Sequence, residues 1–119
     1  MGDYRELKVW REAHELTLAI YRATTAFPRE ELYGLTGQMR RAAASIPTNL
    51  SEGCGRNGNA EFARFCAIAL GSANELEYHL LLAQDLKLLK AGDYSTLNNR
   101  TNELKRMLAS LRRKLIADS

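Results

Sequence analysis

Residues 34–56 read GLTGQMRRAAASIPTNLSEGCGR. Within them Leu35, Met39, Ala42, Ile46 and Leu50 recur at spacings of four, three, four and four. That puts them on one face of a 3.6-residue period, so the stretch is read as a helix. Thr36 is expected to cap its start, its hydroxyl accepting from the free amides of the first turn. Gly53 and Gly55 are expected to end it through a residue in the left-handed region. Pro47 lies inside. It cannot donate to the carbonyl of Ala43, and its ring crowds that carbonyl. The apolar spacing continues through Ile46 and Leu50, so a kink between Ala43 and Pro47 is expected, not a break. Ala42, Ala43, Ala44 and Ser45 leave a nearly bare surface that another helix can approach closely.

On the N-terminal side, a short polar lead-in precedes a first helix from about Leu7 to Ala26. Val9 or Trp10, Ala13, Leu16, Ile20 and Thr24 form its buried stripe. Trp10 and Tyr21 suit either the core or a neighbouring subunit, and the core is the preferred place for Trp10. Phe27-Pro28 ends the helix, because proline pushes the residue before it out of the helical region. Pro28 then opens a short turn through Arg29 to Tyr33, and Gly34 closes it.

On the C-terminal side, Asn57-Gly58-Asn59 marks a turn. Asn57 or Asn59 is expected to cap a third helix from about Ala60 to Leu89. Phe62, Cys66, Ala69, Ala73, Leu76, Leu80 and Ala83 follow the four-three alternation of bundle seams. Phe65, Ile68, Leu82 and Leu86 make a second stripe, more apolar surface than one monomeric core needs. That excess argues for an oligomer. Gly71 sits mid-helix at a cost of roughly 1 kcal/mol relative to alanine, which suggests close packing there. Ala91-Gly92 is expected to end the third helix. Asp93 or Ser95 then caps a fourth, running to about Ile116 with Leu97, Thr101, Leu104, Leu108, Leu111 and Leu115 inside.

At 119 residues the chain is expected to be one domain. With 45% hydrophobic and 26% charged residues its composition is that of a globular protein. Strictly alternating β-branched runs are missing, so the class is all-α. Four helices with short links imply an antiparallel up-down four-helix bundle. The formal charge of +3 permits a nucleic-acid or acidic partner without requiring one. No apolar run approaches the roughly 20 residues of a membrane span, and nothing resembles a signal peptide. Cys54 and Cys66 lack metal spacing and read as reduced cytoplasmic thiols.

The second and third helices should fold back on each other around Asn57. Arg41 lies 16 residues before it and Glu75 18 after; Ser45 lies 12 before and Gly71 14 after. Gly71 is therefore expected to face the alanine-rich patch and Arg41 to reach Glu75. A buried pair would serve packing and register; the competing reading leaves Arg41 exposed as a phosphate ligand. Arg40 points roughly 100° away from Arg41 and is the better candidate for solvent or a ligand. Asn49 could satisfy a carbonyl loosened by Pro47, and Glu52 could pair with Arg56 four residues on. Both read as structural.

The fourth helix is basic, with Lys105, Arg106, Arg112, Arg113 and Lys114 off its leucine seam. In one copy such a run is a solvated face, helped by cations near a helix C-terminus. Around a ring of subunits it becomes a positive surface able to hold a nucleic-acid backbone. With Arg40, these five are the candidate nucleic-acid contacts. Few exposed aromatics suggest base stacking, so recognition by shape and charge is expected.

Catalytic signatures are missing. His14 and His79 stand alone on separate helices. Glu75 lies four residues before His79, which gives at most half of a bundle-type metal site. Residues 34–37 lack the lysine of a phosphate loop. No cofactor and no metal are expected.

Several motifs then read together: Leu7-x-Val9-Trp10-x-x-Ala13, Phe27-Pro28-x-x-Glu31-x-Tyr33-Gly34-Leu35-Thr36, Gln38-x-Arg40-Arg41-Ala42, Ser45-Ile46-Pro47-x-Asn49-x-x-Glu52-Gly53, Arg56, Glu61-Phe62 and Gly71-Ser72-x-x-Glu75-Leu76. Together they resemble the four-helix-bundle family of bacterial 23S ribosomal RNA intervening sequences, over nearly the whole chain. Serine at Ser51, in place of an expected alanine, is a small departure. The resemblance implies a left-handed up-down bundle assembled into a ring-like homopentamer. The chain is also similar to the accessory variability determinants of diversity-generating retroelements, basic pentameric barrels that bind a reverse transcriptase and its RNA. It implies no catalytic residues. Its motif positions coincide mostly with those assigned to packing: Arg41, Ser45, Pro47, Asn49, Glu52, Gly71 and Glu75. The expectation is a non-enzymatic homopentamer that binds RNA or DNA or assists a reverse transcriptase. A protein-interaction scaffold is the alternative, and a metalloenzyme built inside the bundle is a third class.

Overall fold

Helices form where the four apolar periods run. α1 spans Lys8–Thr24, α2 Leu35–Cys54, α3 Asn59–Asp85 and α4 Ala91–Ala117. Single 3-10 turns at Tyr4–Glu6 and Arg29–Glu31 precede α1 and α2. This computed structural model describes residues 2–119, and among the described residues there is no strand. Side-chain contacts fix the directions. Thr17 meets Ala43 and Thr24 meets Arg40, so α1 and α2 run oppositely. Ser45 meets Ser72 while Gly53 abuts Phe62, so α2 and α3 do too. α3 packs on both α2 and α4, and α4 closes back on α1.

The expected seams are the core. Leu16, Ile20, Met39, Ile46, Leu50, Phe62, Leu76, Leu80, Leu104 and Leu108 are fully buried. Trp10 is half-buried, stacked on His14 at 5.1 Å and met edge-on by Tyr4 at 5.0 Å. It lies in a groove over Pro47 and not in the core proper.

Several helix ends differ from expectation. Thr36 does not cap α2: its hydroxyl is buried without a partner among the described residues. Glu31 takes that role from the preceding turn, its carboxylate accepting from the Leu35 amide at 3.3 Å. Nor does a left-handed residue end α2. Gly55 has φ −86°, and the positive φ comes later, at Gly58 (+91°). Gly53 is inside the helix for another reason. A β-carbon there would sit 2.7 Å from the Phe65 β-carbon and 2.9 Å from the Phe62 ring, so only glycine lets α2 and α3 cross this closely.

α3 stops at Asp85, short of the expected Leu89. Lys87 takes φ +64°, its amide donates to Gln84 and the Leu88 amide to Ala83. This is a Schellman stop with lysine where glycine is usual, which is why composition does not reveal it. Ala91-Gly92 consequently opens α4 instead of closing α3, and Asp93 lies within its first turn. There its charge favours the helix N-terminus.

α2 is helical from end to end through Pro47. The carbonyl that Pro47 leaves without an amide is that of Ala43, and α1 supplies the donor. The Thr17 hydroxyl lies 3.0 Å from it and 2.8 Å from its own Ala13 carbonyl, both contacts buried. Thr17→Val is expected to strand the Ala43 carbonyl and cost about 1–3 kcal/mol. Adding Pro47→Ala restores an amide donor and should recover most of that loss. Denaturant midpoints of the two variants and the double variant check it.

Candidate nucleic-acid interface and a polar cleft

The cations of α4 divide into two groups. Lys105 donates to Glu77 of α3 at 3.0 Å, and Arg106 to Glu103 at 2.8 Å. Arg112, Arg113 and Lys114 are exposed and, among the described residues, make no ion pair. Successive residues step by about 100° around a helix. These three therefore fan over the last turns of α4 and do not line one face. Arg112 borders α3 at Ala63 and Arg64.

Arg40 and Arg41 have the reverse of the expected division. The Arg40 Nε donates to the Thr24 hydroxyl at 2.9 Å and an Nη to the Tyr21 carbonyl at 3.3 Å. Its guanidinium lies over the Tyr21 ring at 4.7 Å. It ties α2 to α1. Arg41 is exposed, its guanidinium lying against Gly37.

Arg41 lines an open cleft between α2 and α3 with Gln38, Ala42, Ser45, Ser72 and Glu75. Arg41 and Glu75 share the cleft but are exposed and form no ion pair, so the expected pair is absent. Gly71 does not face the alanine patch either. It is exposed, and a β-carbon there would meet nothing within 4 Å. Ser72 takes the inward position: its hydroxyl lies 2.9 Å from that of Ser45. Halfway between 45 and 72 falls between Gly58 and Asn59. The fold-back is thus centred later than Asn57, and Gly71 rotates outward.

Asn49 closes the polar line, its Nδ2 donating to the Ser45 carbonyl at 2.8 Å and hydroxyl at 3.0 Å. Glu52 pairs with Arg56 at 2.9 Å, and Arg56 lies over the Phe65 ring. Pro47 is buried.

His79 is buried, with 5% of its surface exposed. Its Nε2 lies 3.6 Å from the Glu75 carboxylate, and Nδ1 has no partner among the described residues. Burial holds its pKa below the ordinary 6.5, opposed by Glu75. The folded state therefore prefers the neutral ring. Its contribution to stability is full above pH 6.5 and is lost as pH falls through the lower folded value. His79→Gln is expected to flatten the stability–pH curve in that acid window and leave the slope above pH 7 unchanged, as read by denaturant midpoints from pH 4 to 8.

Burial pushes the Cys66 thiol up to about 11, which keeps it protonated and unreactive. Among the described residues no three His, Cys, Asp or Glu side chains gather as metal ligands, and no helix is long and apolar enough to cross a membrane.

Sequence reasoning missed Gly53 and Thr17. In the sequence alone, Gly53 reads as a terminator. Thr17 would follow from asking which neighbour serves the carbonyl that Pro47 frees.

A crystal structure from Bacteroides thetaiotaomicron VPI-5482, of a protein with unknown function from the S23 ribosomal protein family, has a similar fold. It is 26% identical, with a TM-score of 0.79 over 87% of this chain and 97% of its own. Among curated proteins none matches at a significant level. The pattern of the 23S rRNA-intervening sequence proteins matches residues 5–110. The motif residues that line the α2–α3 seam lie within that span, and the chain belongs to the 23S rRNA-intervening sequence protein family.

Proposed function

We propose that this protein is a non-enzymatic, single-domain bundle of the cytoplasm. In this reading it assembles into a homopentamer and holds RNA or DNA by the backbone, as a nucleic-acid-binding or reverse-transcriptase accessory protein. The observation that carries the reading is the trio Arg112, Arg113 and Lys114, exposed together and bound to no carboxylate among the described residues. Unpaired cations are what releases counterions from a phosphate backbone. Repetition around a ring multiplies three charges into a surface. The family's name links its members to ribosomal RNA genes, and the related crystal structure carries a ribosomal-protein family name. Both favour RNA over DNA.

The second reading is a protein-interaction scaffold without nucleic acid. The exposed Ile68 and Tyr78 on α3, with Leu86 just past its end, favour it. Titrating a labelled structured RNA and a duplex DNA, at low and near-physiological salt, separates the two. Tight binding by an oligomer that weakens steeply with salt is expected. No binding at low salt would establish the scaffold reading in its place.

A further inference from the structure

The α2–α3 cleft holds two unlike charges that do not meet. Arg41 of α2 and Glu75 of α3 both line it, and its volume is about 460 Å³, within the range of small-molecule sites. The contact between Ser45 and Ser72 sets the register. From it Arg41 lies four residues back along α2, and Glu75 three residues on along α3. The helices run oppositely, so both charges stand one turn away in the same direction, across the cleft from each other. Neither is paired with an opposite full charge among the described residues. A β-carbon at Gly37 would sit 3.1 Å from the Arg41 guanidinium and 2.8 Å from the Leu32 carbonyl, so glycine there leaves room for the guanidinium along its own helix.

Behind Glu75 stands His79. Its Nε2 is 3.6 Å from the carboxylate, too far for a hydrogen bond. Burial lowers its pKa, so at neutral pH the ring is uncharged and leaves the full negative charge on Glu75. The serines have a donor to spare. Their hydroxyls lie 2.9 Å apart, so the proton of one bridges them. The Asn49 amide donates to Ser45 and so takes a lone pair, not a proton. The other hydroxyl proton has no acceptor among the described residues.

We propose that this cleft binds the zwitterionic head of a free α-amino acid. Arg41 and the spare serine proton take its carboxylate; Glu75 and the side-chain carbonyl of Gln38 take its ammonium. Both ionic contacts are charge-assisted, the stronger kind of hydrogen bond. A bare anion satisfies Arg41 but is repelled by Glu75, and a bare cation meets the reverse. A molecule carrying both charges on one carbon satisfies both. The walls are mostly polar and the mouth is open, which favours polar side chains over apolar ones. The proposal does not rest on the nucleic-acid reading.

Chemical-shift titration of the full chain with each of the common α-amino acids, at neutral pH, tests it. Polar members should bind with Kd of about 1 mM or tighter and move the amide signals of Ser45 and Ser72. The best of them is then compared with its N-acetyl form, which has no ammonium, and its α-amide, which has no carboxylate. On the wild type each modification should weaken binding about tenfold or more. On Glu75→Gln acetylation should cost little further, and on Arg41→Gln amidation should cost little further, because the partner group is already gone. Both residues are exposed, so the circular dichroism of the variants should match the wild type. If no amino acid binds at about 10 mM, the proposal is overturned. If acetylation and amidation cost as much on the variants as on the wild type, the ligand sits elsewhere and the cleft is wrongly assigned. Inorganic phosphate that binds as tightly as the best amino acid, and is lost with Arg41→Gln, makes this a plain anion site and overturns the role of Glu75.

Discussion

Replacing Phe62 by alanine is expected to remove about 3–5 kcal/mol of stability, toward the upper end of that range for a buried aromatic. The cost of such a change depends on how far the surroundings collapse into the space left behind. Here they cannot collapse far. The ring of Phe62 lies against Gly53, which has no side chain to swing into the void, and both residues are buried. The reverse change, Gly53→Ala, gains up to about 1 kcal/mol of helix propensity. It also forces a methyl to within 2.9 Å of the Phe62 ring and 2.7 Å of the Phe65 β-carbon. Overpacking of that kind costs about 1–3 kcal/mol, so a net loss is expected. In the double variant the new methyl occupies part of the space the ring has vacated. Phe65 still crowds it, so the rescue is partial. The two changes should miss additivity by about 0.5–3 kcal/mol in the favourable direction. Urea midpoints at constant slope decide this, and additivity within a few tenths of a kcal/mol would show that Gly53 and Phe62 are not coupled.

That pair also marks where the sequence stops being informative. The seams were legible because a leucine or alanine placed every third or fourth residue carries its own orientation. Leu35, Met39, Ile46, Leu50, Phe62, Leu76 and Leu104 are all buried as their spacing requires. Glycine carries no such mark. Gly53, Gly55 and Gly71 read alike in one dimension, yet Gly53 is packed against two phenylalanines, Gly55 lies in ordinary right-handed backbone and Gly71 is in the open. Which of them touches a neighbour depends on the phase of one helix against the next. Here the turn at residues 55–58 sets that phase, and a shift of its centre by only half a residue puts Ser72 opposite Ser45 where Gly71 was expected. The division between Arg40 and Arg41 failed for a related reason. Spacing shows that the two diverge, but not that Tyr21 and Thr24 of α1 await the first. Lys87 was illegible because a left-handed lysine has no compositional signature. The basic end of α4 was legible as charge, and only side-chain geometry separates its paired cations from its unpaired ones.

That separation gives the functional prediction with the largest effect. Reversing both Arg112 and Arg113 to glutamate is expected to lower affinity for structured RNA by about a hundredfold or more at low salt, and to flatten the salt dependence. Each lost phosphate contact should remove about one unit from the slope of log affinity against log salt, so the slope falls by about two for each subunit that touches the strand. Lys105→Ala and Arg106→Ala should do far less, because each of those cations is already held by a carboxylate, Glu77 or Glu103. The fold is expected to survive the reversal. Both arginines are exposed and unpaired among the described residues, and a wrongly signed charge near a helix C-terminus costs only about 0.3–1 kcal/mol. The comparison between sites matters more than the loss itself. If all four positions weaken binding equally, the charge acts through the overall field of the protein and the end of α4 is no special surface. If the reversal changes neither affinity nor slope, the three free cations are solvated ornaments of a helix terminus, and the scaffold reading, carried by the exposed Ile68 and Tyr78 of α3, takes its place.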